Sequence, residues 1–110
     1  MNTVDIQWGY CRVLSECPNY KVNELVINPK SKLAFEKHIY RNEHWYILKG
    51  QCSIITEFEK IQNTVIKRSN ETYQIGKNVW HQVINDSDEP CYILEVQFGE
   101  KFLEEDITRR

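Results

Sequence analysis

The sequence predicts an all-β domain built from many short strands. Its 110 residues are enough for one domain, which we assign to residues 1–110. Runs rich in Val, Ile, Tyr, Trp and Thr recur at even spacing, and turn-forming residues separate them. No helical pattern intervenes before the C-terminus, so we expect a sandwich or a closed barrel.

The predicted strands begin and end at turn-forming residues. In chain order they are Tyr10–Leu14, Tyr20–Asn28, Lys32–His38, Glu43–Lys49, Gln51–Phe58, Ile61–Lys67, Glu71–Ile75, Val79–Asn85 and Cys91–Phe98. Between them stand Pro18-Asn19, Asn28-Pro29, Gly50, Ser69-Asn70, Lys77-Asn78 and Asn85-Asp86-Ser87-Asp88. The last stretch, Phe102–Arg110, is expected to be a short helix or a tail, because its acidic start and basic end suit the helix dipole.

Composition and charge exclude several classes of protein. The formal net charge is −2 and the basic residues are scattered, which argues against a nucleic-acid binder. No apolar run approaches the ~20 residues that span a bilayer, and the N-terminus lacks the basic start and apolar stretch of a signal peptide. We therefore expect a cytoplasmic protein with no membrane partner.

Cysteine usage is consistent with a reducing compartment. The four cysteines, Cys11, Cys17, Cys52 and Cys91, form no CxxC pair, and three of them lie in apolar strand-like runs. This pattern favours reduced, partly buried thiols over a disulfide or a metal site.

Two segments carry candidate metal ligands. In the first, Glu36 and His38 stand two residues apart, so in a strand both side chains project from one face. Residues 39–42 can reverse the chain, which lets Glu43 face them from the neighbouring strand. The second segment, further along the chain, supplies His81. Two imidazoles and two carboxylates form a suitable ligand set for one divalent metal ion, Zn, Mn, Fe, Ni or Co.

The spacing within both segments matches known motifs. His38-x4-Glu43-x6-Gly50 and, later, His81-x3-Asn85 are uninterrupted. They resemble the paired motifs of the cupin superfamily, Gly-x5-His-x-His-x4-Glu-x6-Gly followed by Pro-x-Gly-x2-His-x3-Asn. The resemblance implies a small cupin barrel, a jelly roll or double-stranded β-helix, with the metal on Glu36, His38, Glu43 and His81.

Further motifs along nearly the whole chain narrow the resemblance. They are Trp8-Gly9-Tyr10-Cys11-Arg12-Val13-Leu14, Tyr20-Lys21-Val22, Arg41-Asn42-Glu43-His44-Trp45, Leu94-Glu95-Val96-Gln97-Phe98-Gly99 and Glu104-Glu105-Asp106-Ile107-Thr108-Arg109. In this order they are similar to the C-terminal cupin domain of type II mannose-6-phosphate isomerases, often fused to mannose-1-phosphate guanylyltransferases. The resemblance implies a metal-dependent aldose–ketose isomerase acting on a sugar phosphate.

The chain departs from that family at several positions. The Gln of its Gln-x-His motif is Glu36, which keeps an oxygen ligand but adds a negative charge. The Gly of the first cupin motif is Lys30, and the Pro-x-Gly turn ends in Asn78, a residue that tolerates the left-handed conformation. Asn23 replaces a Lys and Ile6-Gln7 replaces an Arg-Pro, so two basic residues that a sugar phosphate could contact are absent.

Isomerisation of a sugar phosphate needs a metal to polarise oxygens and a base to move a proton between adjacent carbons. Arg41 is the candidate to steady the enediolate or the phosphate, and Lys21 adds a second positive charge. Glu95 and Gln97 share a strand face and are candidates to orient hydroxyls. His44 is the third candidate substrate-binding residue, and His44 or a free carboxylate is the candidate base, although strand alternation points His44 to the opposite face.

The residues alone leave alternatives open. Arg41 also fits an exposed hairpin turn, Lys21 a solvated strand position, and Glu95 and Gln97 a solvent-facing stripe. The alternative function is a non-catalytic metal- and sugar-binding or sensing cupin, and a different cupin enzyme such as a dioxygenase is a third. The expected partners are a small sugar or sugar phosphate and a second copy of the chain, because small barrels leave strand edges exposed.

Overall fold

The computed structural model describes residues 2–99 and 106–110, and most of these residues lie in strands. The described residues form twelve strands: β1 (Asn2–Ile6), β2 (Gly9–Glu16), β3 (Tyr20–Ile27), β4 (Ser31–Lys32), β5 (Glu36–His38), β6 (Arg41–Lys49), β7 (Gln51–Phe58), β8 (Ile61–Arg68), β9 (Thr72–Ile75), β10 (Trp80–Asn85), β11 (Cys91–Gly99) and β12 (Ile107–Arg109). The predicted all-β class is confirmed.

The strands form two antiparallel sheets. One has the order β1-β2-β3-β11-β6-β9, and the other has the order β12-β5-β10-β7-β8, with β4 also paired to β10. Some neighbours are joined by tight turns: Glu59 and Lys60 connect β7 to β8, and both have the positive φ that a two-residue hairpin turn of this kind requires. Others, such as β3 and β11, are distant in sequence and pair along their length.

The chain adopts left-handed backbone at two of the positions where the cupin motifs carry glycine or a glycine-containing turn. Lys30 has φ of 58° and Asn78 has φ of 65°. The prediction that asparagine allows the second turn to survive is therefore confirmed.

Three elements differ from the sequence prediction. The stretch Lys32–His38 forms two short strands, β4 and β5, instead of one. Strand β1 was not predicted, yet it pairs with β2 along its length. The short helix expected over Phe102–Arg110 is corrected: its described end is strand β12, which pairs with β5, and residues 102–105 lie outside the described residues. Pairing with a strand edge outweighs local helical preference at such an end.

The inner face of β11 changes from apolar to polar along its length. Its inward residues are Cys91, Ile93, Glu95 and Gln97, and they alternate with partly exposed neighbours as the pleat requires. Strands β3 and β6 make the same change. One end of the barrel is consequently a packed core, and the other end is polar.

The packed end contains the largest buried side chains. Antiparallel register places Ile93 beside Leu25 of β3 and Ile47 of β6. The core cluster consists of Leu25, Ile27, Trp45, Ile47, Cys52, Ile54, Ile75, Val83, Cys91 and Ile93. This apolar block holds the strands whose other ends form the polar cavity.

The cysteines agree with the expectation of unpaired thiols. All four cysteines are free, and Cys52 and Cys91 are buried in the core. In the part of the chain that the structure describes, no helix is long and apolar enough to cross a membrane.

Gly50 offers a test of the fold. It joins β6 to β7 with φ of 92°, and a Cβ there would lie 2.7 Å from the carbonyl oxygen of Pro90. We expect Gly50→Ala to lower the free energy of unfolding by about 2 kcal/mol or more, because it adds left-handed strain and backbone overlap. Urea denaturation measures the change. Gly76→Ala is the matched control, since nothing lies within 4 Å of its Cβ position; equal losses would contradict the steric explanation.

Candidate metal centre

A cavity of about 540 Å³ lies at the polar end of the barrel, a volume within the usual range for small-molecule sites. It brings together all but one of the residues that the sequence singled out. Those lining it are Glu36, His38, Glu43, His81, Lys21, Arg41, Glu95 and Gln97.

The four predicted metal ligands come from three strands. Glu36 and His38 lie on β5, Glu43 on β6 and His81 on β10, where it pairs directly with Glu36. The Oε2 atom of Glu43 is 3.3 Å from Nε2 of His38 and 3.0 Å from Nε2 of His81. Glu36, His38 and His81 each offer a ligand atom within 4.8 Å of the others. Glu36, His38 and His81 therefore form one candidate ligand group, and Glu43 contacts both of its imidazoles.

The bonding of Glu43 and His81 fits a divalent cation. The Oε2 atom of Glu43 is buried and has no hydrogen bond of normal geometry within the described residues, a state that is uncommon for a buried oxygen. His81 donates its Nδ1 proton to the carbonyl oxygen of Val79, 3.0 Å away, which leaves Nε2 directed at Glu43. A backbone carbonyl on the far nitrogen is a common way to orient a metal-binding imidazole.

His38 is oriented by a different partner. The Nη2 atom of Arg41 lies 3.1 Å from Nδ1 of His38. Because a guanidinium only donates, Nδ1 accepts this hydrogen bond and the ring proton lies on Nε2, on the side of Glu43. A metal ion bound through Nε2 would take the place of that proton.

The pKa values of two buried carboxyl groups in the cavity are shifted in opposite directions. Burial on its own would raise the pKa of Glu43, but contacts with Glu95, His38 and His81 hold it well below its usual range. Burial, followed by repulsion from Glu43, raises the pKa of Glu95 well above its usual range. Burial would lower the pKa of His81, yet its contact with the Glu43 carboxylate raises it. Glu43 is thus the stronger acid of the pair, and Glu95 is the weaker one.

Glu95 is held by a network of side chains. Its Oε1 atom accepts hydrogen bonds from Nδ2 of Asn23 at 2.9 Å and from Nε2 of Gln97 at 2.8 Å, and its Oε2 atom accepts one from Nε1 of Trp45 at 3.2 Å. Gln97 in turn accepts a hydrogen bond from Nη1 of Arg41 at 3.1 Å. Through Gln97, this network connects Glu95 to Arg41, the residue that orients His38.

The turn between β5 and β6 is fixed by Asp106, from the end of the chain. Its carboxylate accepts hydrogen bonds from the backbone N–H of Ile39 at 2.8 Å and of Tyr40 at 3.2 Å. It also lies 3.8 Å from Nε of Arg41, and both of these side chains are almost fully buried. Asp106 therefore positions the turn that places His38 opposite Glu43.

The structure decides between the alternatives for several predicted residues. Arg41 is 4% exposed, so it is not a surface turn residue, and Glu95 and Gln97 face inward and not toward solvent. Lys21 lines the cavity opposite Gln97. The expectation that His44 binds substrate or acts as the base is corrected: it lies on the outer face of β6, where its Nδ1 is 3.2 Å from Nε2 of Gln74.

Sequence reasoning missed three residues that support the site: Asn23, noted only as a replaced lysine, Asp106 and Arg109. Arg109 Nε donates to Oε2 of Glu36 at 2.8 Å. Asp106 and Arg109 stand in the Glu104–Arg109 motif, which drew attention to them, but both were assigned to a possible helix. Their roles depend on the pairing of β12 with β5, which is not visible in local sequence.

Comparison with known protein families identifies relatives over the full chain. Residues 1–110 match the family described as "Mannose-6-phosphate isomerase C-terminal". A mannose-1-phosphate guanylyltransferase of Salmonella muenchen is 32% identical over 102 residues, which is 93% of this chain and 21% of that protein. One from Klebsiella pneumoniae is 29% identical over the same coverage. The chain thus spans about a fifth of the length of these relatives, and the predicted family is confirmed.

Solved structures confirm the predicted barrel. A single-substitution variant of Bacillus subtilis oxalate decarboxylase superposes with a TM-score of 0.88 at 15% identity, covering 99% of this chain and 30% of that one. The cupin domain of Schizosaccharomyces pombe Cnp3 superposes with a TM-score of 0.77 at 11% identity, covering 90% of this chain and 69% of that one. At these identities the likeness establishes the cupin fold alone.

The role of Asp106 is testable through stability. We expect Asp106→Ala to lower the free energy of unfolding by roughly 2–4 kcal/mol, because it leaves two backbone N–H groups without their acceptor and removes the carboxylate that lies 3.8 Å from the buried Arg41 guanidinium. Chemical denaturation measures the loss. Asp88→Ala is the matched control: its side chain is 93% exposed and pairs only with exposed Lys30, so it should change stability little. Similar effects of both substitutions would refute the positioning role.

Proposed function

This chain belongs to the mannose-6-phosphate isomerase C-terminal family, and on that premise we propose that it is a metal-dependent cupin that interconverts an aldose phosphate and a ketose phosphate. The observation that carries the proposal is the convergence of Glu36, His38, Glu43 and His81 at the wall of a small-molecule-sized cavity. Guanylyl transfer is not part of the proposal, because the match covers only 21% of the relative that carries that name.

The donor set suits one divalent ion. Two neutral imidazoles and two carboxylates suit Mn, Fe, Co, Ni or Zn, and the two negative charges offset the charge of the ion. When bound, the ion would supply Lewis-acid polarisation of the carbonyl and hydroxyl oxygens of the sugar. Binding, orientation and proton transfer are left to the side chains of the chain itself.

Glu95 is the proposed acid–base group. It lies in the cavity wall, and burial and repulsion from Glu43 raise its pKa, which makes its carboxylate a stronger base than that of an ordinary glutamate. An aldose–ketose conversion moves one proton between adjacent carbons, and a carboxyl whose pKa has shifted upward is suited to exchange it. Trp45 and Asn23 fix its orientation through their N–H groups.

Lys21 is the proposed phosphate contact. Arg41, the other cation considered, is already engaged by His38, Gln97 and Asp106, so its role is to hold the site together. Lys21 lines the same cavity, and a flexible ammonium group at the wall suits a phosphate as a point charge. The phosphate of the sugar would then lie toward β3, and the reacting carbon atoms of the sugar would lie toward Glu43.

A second candidate is a non-catalytic cupin that binds or senses a metal and a sugar. The engagement of Arg41 by three neighbours favours it, because the most deeply buried cation of the cavity is then not available to a phosphate or an enediolate. Sugar binding without turnover would support this alternative.

The proposal also includes a cytoplasmic location and a homodimer. Free thiols at all four cysteines suit a reducing compartment. The outer face of the first sheet carries exposed Tyr46, Leu48 and Phe98, apolar surface that a second copy could cover.

Metal content tests the ligand assignment. We expect the unmodified protein, purified without chelator, to carry one divalent ion per chain, and His81→Ala to lose it while the fold is kept, because one of two imidazole ligands is gone. Elemental analysis and circular dichroism measure both properties. His44→Ala is the matched control, since this third histidine lies outside the cavity. Equal metal content in His81→Ala and the unmodified protein would refute the site.

Substrate recognition is tested with mannose 6-phosphate, fructose 6-phosphate and mannose. We expect Lys21→Met to weaken binding of both sugar phosphates roughly tenfold or more, because one charge-assisted hydrogen bond is lost. Mannose binding and metal content should not change. Lys49→Met removes the same charge from an exposed position and serves as control. Calorimetry measures binding, and nuclear magnetic resonance follows interconversion of the two phosphates. Binding without interconversion in the unmodified protein would select the sensing alternative.

A further inference from the structure

The C-terminal strand reaches the metal centre through a side chain. Strand β12 pairs with β5 so that Ile107 lies opposite His38 and Arg109 opposite Glu36. Both of the ligands that β5 provides are thus paired directly with β12. Opposite charges at paired positions of neighbouring strands interact favourably.

Arg109 is placed to act on the charge of Glu36. Its Nε donates to Oε2 of Glu36 at 2.8 Å, with side-chain exposures of 52% and 23%. Glu36 is also the carboxylate that offers a ligand atom within 4.8 Å of those of His38 and His81. The ion pair with Arg109 partly neutralises the Glu36 carboxylate and so reduces the negative charge that this ligand presents to a metal ion.

The adjacent arginine is placed differently. Arg110 makes a two-point ion pair with Glu57, at 2.8 and 3.0 Å, and its guanidinium stacks over the rings of Phe35 and Trp80. Its backbone N–H donates to the carbonyl oxygen of Phe35 at 3.0 Å. Arg110 therefore anchors the end of the chain, so the side chain of Arg109 is not needed for that purpose.

We propose that Arg109 is a positioning residue that offsets the charge of Glu36 and thereby lowers the affinity of the site for its divalent ion. The inference rests on the proposed metal site. With Arg109 in place, the ligand set behaves as two imidazoles, one full carboxylate and one partly neutralised carboxylate. Without it, the ion would face two uncompensated carboxylates. Arg109 would thus keep the bound ion a stronger Lewis acid than the same ligands would leave it.

A double-mutant cycle on metal affinity tests this role. Mn²⁺ is titrated into chelator-treated protein and the free ion followed by electron paramagnetic resonance, and Zn²⁺ is titrated against a competing chelator. We expect Arg109→Met to tighten binding of both ions by roughly three- to tenfold, a Coulombic effect reduced by solvent screening. In the Glu36→Gln background the same substitution should change affinity less than about twofold, because the carboxylate on which Arg109 acts is gone.

Two further variants separate charge from structure. Arg109→Lys keeps the positive charge, so this variant should bind both ions with an affinity close to that of the unmodified protein. Lys49→Met removes one positive charge from an exposed position outside the cavity and should leave affinity unchanged.

Each other outcome overturns the inference. Unchanged or weaker binding in Arg109→Met, or an equal shift in the Glu36→Gln background, would show that the side chain only holds β12 in place. Failure of the unmodified protein to bind either ion would refute the metal site itself, and this inference with it. Binding that ignores Arg109 would refute the inference alone.

Discussion

The ionised carboxylate of Glu43 is the group around which the polar end of the barrel is arranged. An uncompensated charge removed from water costs several kcal/mol, so its neighbours must supply protons or positive charge. His38 and His81 face its Oε2 atom at 3.3 and 3.0 Å, and its repulsion contributes to the raised pKa of Glu95. A divalent ion at this point would meet the same need, which is why the residues that stabilise the cavity also form a ligand set.

The barrel supports this buried charge because its strands are apolar at one end and polar at the other. Along β11 the inward residues run from Cys91 and Ile93 in the core to Glu95 and Gln97 in the cavity. Because β3 and β6 pair with β11 in antiparallel register, they too are apolar at one end and polar at the other. A continuous apolar block therefore forms at one end of the barrel. The rigid packing of that block holds the polar ends in place with few supporting loops.

Strand β5, which carries Glu36 and His38, depends on segments that are distant in the sequence. Strand β5 has three residues and only one paired position with β10, so it lacks an extended ladder on that side. The C-terminal segment provides the other ladder through β12, and Asp106 satisfies the backbone of the turn that follows β5. The candidate metal centre is thus supported by residues 106–109.

The sequence by itself determined the all-β class and the shared face of Glu36 and His38, because period-two alternation acts within a single strand. It also indicated that His44 points away from the site. Tertiary structure decided that His81 meets Glu36 and that Arg109 reaches the same carboxylate from 73 positions along the chain. Strand pairing depends on register between distant segments, and that register follows from how the whole barrel closes and not from any local run of residues.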